Sequence, residues 1–414
     1  MMKVASIRTL RFLLIFGVSS LFLISCAQKE RVAVSQLDTP GHHTYTGLKL
    51  LELGKHSDAG REFKMATQLD AQYSKAYVGM ALVNIYTGKL DTVSGNLDEA
   101  AKTAQTSDEK LFVNVARIRY YTLDKSDPQW LDLAKKQFDE AVLLDSKHAP
   151  VYYYMGLAYK EGLDFTRAAK MFDTVIRLKT DHIDDANNEI KFLLKLQKAN
   201  PTTERGKRIA LTEKITRAET AALLMQELKI KNLYGTDTAP AQDQSGSATV
   251  KDSSEDKKEE AVSETKITGQ VFTETFPVEP PPVKIWAKDI MEHPLFKDIE
   301  SVLEAGVSGL ENDPKGNFKP GEIISRGEFA IILEGILIRI TGEKDLAGRY
   351  VNSKSLFPDV PSDMPYFNAI TSVTSRGIME AKNLKTNEFA PLKPLSGVEA
   401  LWSINRLKEV LKIK

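Results

Sequence analysis

A small residue followed four positions later by phenylalanine recurs three times in the first half of this chain: Ala59 with Phe63, Ala134 with Phe138, and Ala168 with Phe172. Four residues is just over one helical turn, so the two side chains of each pair share one face of a helix. The wider pattern repeats as well. One unit holds Gly47, Gly54, Ala59, Phe63 and Ala66; a later one holds Tyr152, Gly156, Tyr159, Ala168, Phe172 and Val175. Between them Ala134, Phe138 and Ala141 form a half-unit, and Ala134 to Ala168 is 34 residues. Self-similarity at such a period predicts stacked helical hairpins, because one hairpin cannot bury its apolar face alone.

These positions resemble the tetratricopeptide repeat, in which small residues let two antiparallel helices approach and the aromatic fills the gap. The resemblance covers residues 40–183 and three to four units. The stretch from Asp91 to Asn96 departs from the pattern and is expected to form a longer loop or a helix. Such stacks present a groove to a protein or peptide partner. Tyr152, Tyr153 and Tyr154 are candidates to line it; the alternative places Tyr152 in the core and its neighbours against adjacent helices.

A second pattern occupies the C-terminal half. Ile324-Ser325-Arg326-Gly327-Glu328 follows Phe318-Lys319-Pro320, and Leu395-Ser396-Gly397-Val398-Glu399 follows Phe389-Ala390-Pro391. A third start, Ile215-Thr216-Arg217-Ala218-Glu219, stands further upstream. Ile299 to Arg326 and Ile370 to Gly397 are both 27 residues, and 27 back from Arg217 lies Ile190, in an apolar-periodic stretch. Each Ser/Thr-x-x-Glu is also an ordinary capping box, so the register of three, not any one of them, carries the signal. Residues 231–283 interrupt the series with a polar, acidic, proline-ended insert, which reads as a flexible spacer.

This series resembles the S-layer homology (SLH) repeat. The resemblance implies three copies, at 184–230 (lacking Phe-x-Pro), 284–341 and 342–414, forming one unit around a helical bundle. It also implies grooves for cell-wall glycans, with the motif arginine facing acidic groups on the sugar. That role falls on Arg217 and Arg326; the third copy has Gly397, so its groove is expected to be weak or silent. A guanidinium fork matches a carboxylate bidentately, which makes the chemistry reasonable. Trp286 and Trp402 are candidates to stack on sugar rings, with core packing as the alternative. Glu219, Glu328 and Glu399 read as caps.

The N-terminus adds an anchor. Lys3, Arg8 and Arg11 precede an apolar run over residues 12–24 that is short for a membrane span. Leu23-Ile24-Ser25-Cys26 resembles the bacterial lipobox, which implies cleavage after residue 25 and a diacylglyceryl group on Cys26, with 26–39 as a linker. Cys26 is the chain's single cysteine, so an acylated chain keeps no thiol for disulfides, metals or catalysis. In a bacterium with two membranes, the lipoprotein resemblance with Ala27 rather than Asp after the cysteine implies the outer membrane, facing the periplasm.

The fold class expected is therefore all-α: a tetratricopeptide-type solenoid followed by an SLH-type three-repeat unit. Lys plus Arg balances Asp plus Glu at 56 each, which argues against binding nucleic acid by charge. Paired carboxylates, a Ser/His/Asp set or a metal cluster are not apparent, so neither an enzyme nor a cofactor is expected. The leading expectation is a non-enzymatic tether that joins membrane lipid to wall glycan. The alternative is an adaptor whose solenoid recruits a protein partner, the C-terminal repeats only localising it.

Overall fold

The computed structural model describes residues 31–235 and 287–413. Cys26, Trp286, the signal-like segment and most of the acidic insert lie outside them. The chain divides into two compact units, Met1–Leu193 and Leu194–Lys414. The division falls inside one helix, Ile183–Ala199. Among the described residues the regular structure is helical, and no helix is long and apolar enough to cross a membrane.

In the first unit helices pair as successive hairpins: α1 (Pro40–Glu52) with α2 (His56–Leu69), then α3 (Ser74–Tyr86) with α4 (Val93–Thr103). α5 (Ser107–Leu123) pairs with α6 (Trp130–Leu144), and α7 (Ala149–Glu161) with α8 (Phe165–Leu178). The first helices of successive hairpins also touch, α1 on α3, α3 on α5 and α5 on α7, which makes the array a solenoid. Phe63 and Phe172 are fully buried between helices, as the spacing predicts. A Cβ on Gly79 would sit 2.3 Å from the Phe63 ring, and one on Gly156 2.6 Å from the Phe172 ring. Glycine is needed there because the ring occupies the space a side chain would take. Phe138 departs from this pattern. Its partner helix α5 contains no glycine, so the ring stays half-buried and meets Tyr152 edge-on at 5.4 Å. The degenerate stretch 91–96 is a short 3-10 turn, Leu90–Thr92, running straight into α4, not an extended loop.

The second unit holds the end of α9 (Ile183–Ala199), then α10 (Glu204–Ala210), α11 (Arg217–Gln226) and α12 (Ile230–Tyr234). After the undescribed segment come α13 (Phe296–Ala305), α14 (Arg326–Thr341), α15 (Phe367–Ser375) and α16 (Gly397–Val410). The insert boundary at 231 is corrected by α12. Residues 231–234 are helical because Tyr234 packs under the Arg339 guanidinium, 4.1 Å from its ring centre, and Lys231 pairs with Glu304 at 2.8 Å.

Three helix starts meet at the centre of this unit. Ile215 N–H donates to Leu395 C=O (2.9 Å), Leu395 N–H to Ile324 C=O (2.9 Å), and Ile324 N–H to Ile215 C=O (3.0 Å), closing a ring of three backbone bonds. The residue after each is an extended N-cap, and Thr216 with Glu219, Ser325 with Glu328, and Ser396 with Glu399 form capping boxes. An extended cap leaves the preceding N–H and C=O outside the helix, and buried backbone groups need partners. With Ile215, Ile324 and Leu395 at 1% exposure or less, the three segments satisfy one another.

Candidate functional site

Each aromatic loop ahead of a helix start is built in the same way. Asp289 accepts from the backbone N–H groups of Phe318 (2.8 Å) and Lys319 (2.7 Å); Asp359 accepts from those of Phe389 (2.9 Å) and Ala390 (2.6 Å). These carboxylates hold Lys319 and Ala390 at a φ of +58°, a left-handed conformation that non-glycine residues seldom adopt. The segment ahead of Thr216 has no such loop. There Glu227 accepts from the N–H groups of Thr202 and Thr203 ahead of α10, and a Cβ on Gly206 would lie 2.0 Å from its carboxylate.

The two motif arginines lock onto these loops. Arg217 donates from Nε to Phe318 C=O (2.8 Å), from Nη1 to Gly309 C=O (3.2 Å) and from Nη2 to Glu311 C=O (2.9 Å), its guanidinium 4.8 Å from the Phe318 ring. Arg326 donates from Nε to Phe389 C=O (2.8 Å), from Nη2 to Glu380 C=O (2.7 Å) and from Nη1 to Glu399 (3.0 Å), and lies 4.5 Å from the Phe389 ring. Arg326 is only 3% exposed. Three of its five N–H groups are thus engaged within the protein, and the fork expected to face a glycan carboxylate instead ties the start of α14 to the 380–389 loop.

Around Arg326 lies a cavity of about 440 Å³, within the range of small-molecule sites. Lys195 and Lys198 of α9, Lys382 and Leu384 of the loop before Phe389, and Glu399 and Trp402 of α16 line it. Four cations in its wall (Lys195, Lys198, Arg326, Lys382) face two carboxylates, Glu380 and Glu399. Glu399 is already taken, since Lys382 Nζ (2.6 Å) and Arg326 both reach its Oε1 and Ser396 Oγ donates to Oε2 at 2.8 Å. Burial pushes the Glu399 carboxyl up, but the Lys382 hydrogen bond and the Arg326 charge outweigh it and hold the group below its ordinary range. Lys195 and Lys198 are exposed and have no ion pair among the described residues. The wall is left with an excess of positive charge beside a half-buried indole.

Of the residues singled out from sequence, Arg326 and Trp402 come together here. Arg217 instead sits against the Gly309–Phe318 loop and does not line the cavity. At Gly397 a Cβ would fall 1.7 Å from Ile209 C=O, so backbone fills the place that an arginine would need. The cavity lysines were missed by motif reading. Lys191, Lys195 and Lys198 recur at steps of four and three, a helix-face spacing that could have pointed to them. Among the described residues no cluster of His, Cys, Asp and Glu could hold a metal ion.

The S-layer homology domain profile matches residues 288–330. A surface-layer 125 kDa protein of Lysinibacillus sphaericus is 37% identical over 102 residues, 25% of this chain and 8% of that protein. The chain therefore spans a small fraction of that relative's length. Among solved structures, a thermophilic TPR protein of Thermus thermophilus is 16% identical, with TM-score 0.33, over 46% of this chain and 92% of that one. YrrB, described as a TPR protein with an unusual peptide-binding site, is 18% identical, with TM-score 0.18, over 39% and 92% respectively. The described residues thus form an all-α solenoid followed by a second helical unit in which residues 288–330 match the S-layer homology domain.

Proposed function

We propose that this chain is a non-enzymatic envelope protein that grips an anionic cell-wall glycan in the cavity between Lys382 and Trp402, held to a membrane by lipid on Cys26. All three C-terminal segments are copies of one repeat in this reading, and only the groove beside Arg326 is open. One observation carries it: unpaired Lys195 and Lys198 share a cavity with an indole and a buried arginine. Exposed ammonium groups draw a carboxylate or phosphate on the polymer, and the indole offers the apolar surface a sugar ring needs. Arg326 supports the wall of the cavity and is not the principal ligand. Arg217 has the same supporting role in the preceding repeat. Lipid on Cys26 places the protein in the outer membrane, facing the periplasm. Through its solenoid the same chain recruits a protein partner to the envelope.

The test is co-sedimentation of the full chain, in detergent, with cell-wall sacculi both intact and acid-stripped of attached polymer. Lys195→Glu/Lys198→Glu should abolish pelleting while leaving the melting temperature unchanged, since both side chains are exposed and make no ion pair. Wild-type pelleting should also weaken in high salt, where the Debye length falls to about 3 Å. Equal pelleting of the variant and the wild type sinks the proposal. Retention on intact but not stripped walls identifies an attached polymer as the ligand.

A further inference from the structure

Along the first unit a run of ring faces crosses four hairpins with one cation at its middle. His56, opening α2, stacks on Tyr86 of α3 (centroids 5.4 Å, planes 6° apart). Arg119 of α5 lies next, its guanidinium carbon 5.3 Å from the Tyr86 ring and 4.6 Å from that of Tyr154 on α7. Tyr154 meets Tyr153 edge-on at 5.2 Å, and Tyr153 stacks on His182 at 4.3 Å with planes 6° apart. Tyr152, by contrast, belongs to the packing: its ring meets Phe138 and its hydroxyl donates to Ser146 C=O.

Arg119 differs from other cations of the solenoid. Lys75 pairs with Asp108, Arg117 with Asp98 (2.8 Å) and Lys160 with Glu189 (2.7 Å). Arg119 makes one hydrogen bond among the described residues, from Nη2 to the Tyr86 hydroxyl at 2.7 Å, and no ion pair. Two flanking rings hold the guanidinium in place and leave most of its donors without a protein acceptor. A partly desolvated fork fixed in this way suits a carboxylate, which it can bind bidentately at little further cost in side-chain entropy.

The surroundings narrow the ligand. Rings continue on both sides of Arg119, Tyr86 and His56 on one and Tyr154, Tyr153 and His182 on the other, so a bound chain has apolar ring edges to follow in both directions. A terminal carboxylate would leave one side empty. At the His182 end Asp185 (3.0 Å from the imidazole) supplies negative charge, which disfavours a polyacidic strand. We infer that this face binds an extended segment of a partner protein through one internal Asp or Glu side chain on Arg119, with aromatic or aliphatic residues on either side of it. The inference deepens the recruiting role proposed above and rests on it.

The test probes the full-length protein against an array of peptides about twelve residues long, ~40 Å when extended. Each places Glu centrally among varied aromatic and aliphatic residues, beside a Gln counterpart and a counterpart ending at the Glu. A subset of internal-Glu peptides should be retained. Glu→Gln in the peptide, and Arg119→Ala or Arg119→Gln in the protein, should each weaken binding about 10–100-fold. Arg177→Ala, on the exposed side of α8, should leave binding and fold unchanged. Binding that ignores either Glu→Gln or Arg119→Ala overturns the inference, as does retention of only the Glu-terminated or polyacidic peptides, or of none. If no peptide is retained but wild type and Arg119→Ala crosslink the same envelope protein equally, the recruiting role stands and this inference alone falls. If no protein is crosslinked either, both fall, and sacculus pelleting is unaffected.

Discussion

Replacing Arg326 by alanine should loosen the C-terminal unit before it touches any ligand. The truncation removes three hydrogen bonds and a guanidinium packed 4.5 Å from the Phe389 ring. Glu399 keeps Lys382 and Ser396, so its charge stays paired. The carbonyls of Phe389 and Glu380 lose their arginine donor, at about 1–3 kcal/mol each when no substitute arrives. Because the cavity lets water reach the Glu380 side, the lower end applies there, and the lost ring contact adds ~0.5–1 kcal/mol. A total of about 3 kcal/mol corresponds to a roughly hundredfold rise in local opening. Amide hydrogen exchange read by mass spectrometry on the intact chain should show this in peptides covering residues 380–404, with peptides of the first unit unchanged. Arg326→Lys, which can reach one carbonyl but cannot fork, should fall between. If Arg326→Ala shifts exchange by less than about threefold yet abolishes wall binding, the arginine is a ligand contact and the bracing argument is wrong.

Three further outcomes follow from the packing and the titrating groups. Burial pushes the Glu334 carboxyl up to about 7, against the Asn368 hydrogen bond and the Arg376 charge. The unfolded chain therefore ionises there first, and the contribution of Glu334 to stability is most favourable below about pH 4.5 and falls as pH rises to 7. Glu334→Gln should gain about 1–2 kcal/mol at pH 8, after discounting for solvent screening, and nothing at pH 4, by urea melts. His43 sits between Glu62 (2.7 Å) and Asp38 (2.8 Å); burial lowers its pKa, but both hydrogen bonds outweigh this and raise it. Its contribution is full below about pH 6.5 and is lost as pH climbs through the raised value, so residues 31–38 should exchange faster there. His43→Gln should remove that dependence once intrinsic rates are subtracted. Gly79→Ala drives a methyl into the Phe63 ring and should cost ~1–3 kcal/mol in urea melts, most of it recovered in Gly79→Ala/Phe63→Leu.

The features legible along the chain are local or periodic. A glycine or alanine set against a phenylalanine at a fixed offset specifies where two helices touch, since ring volume and the missing Cβ are properties of the residues themselves. Thr216, Ser325 and Ser396 with their glutamates marked three helix starts, because a capping box closes within four residues. Everything else depends on residues that meet only in the folded chain. Arg326 reads as a ligand-facing motif residue until Phe389 and Glu380, more than fifty positions away, are seen to present their carbonyls to it. Lys195 and Lys198 are plain surface lysines on α9 until the cavity wall from Met379 to Trp402 comes opposite them. Arg119 shows as a binding candidate only when Tyr86 and Tyr154, from two other hairpins, close on its faces. A hydrogen-bond fork or an unpaired charge is defined by what stands around it, and residues distant in the chain supply those surroundings.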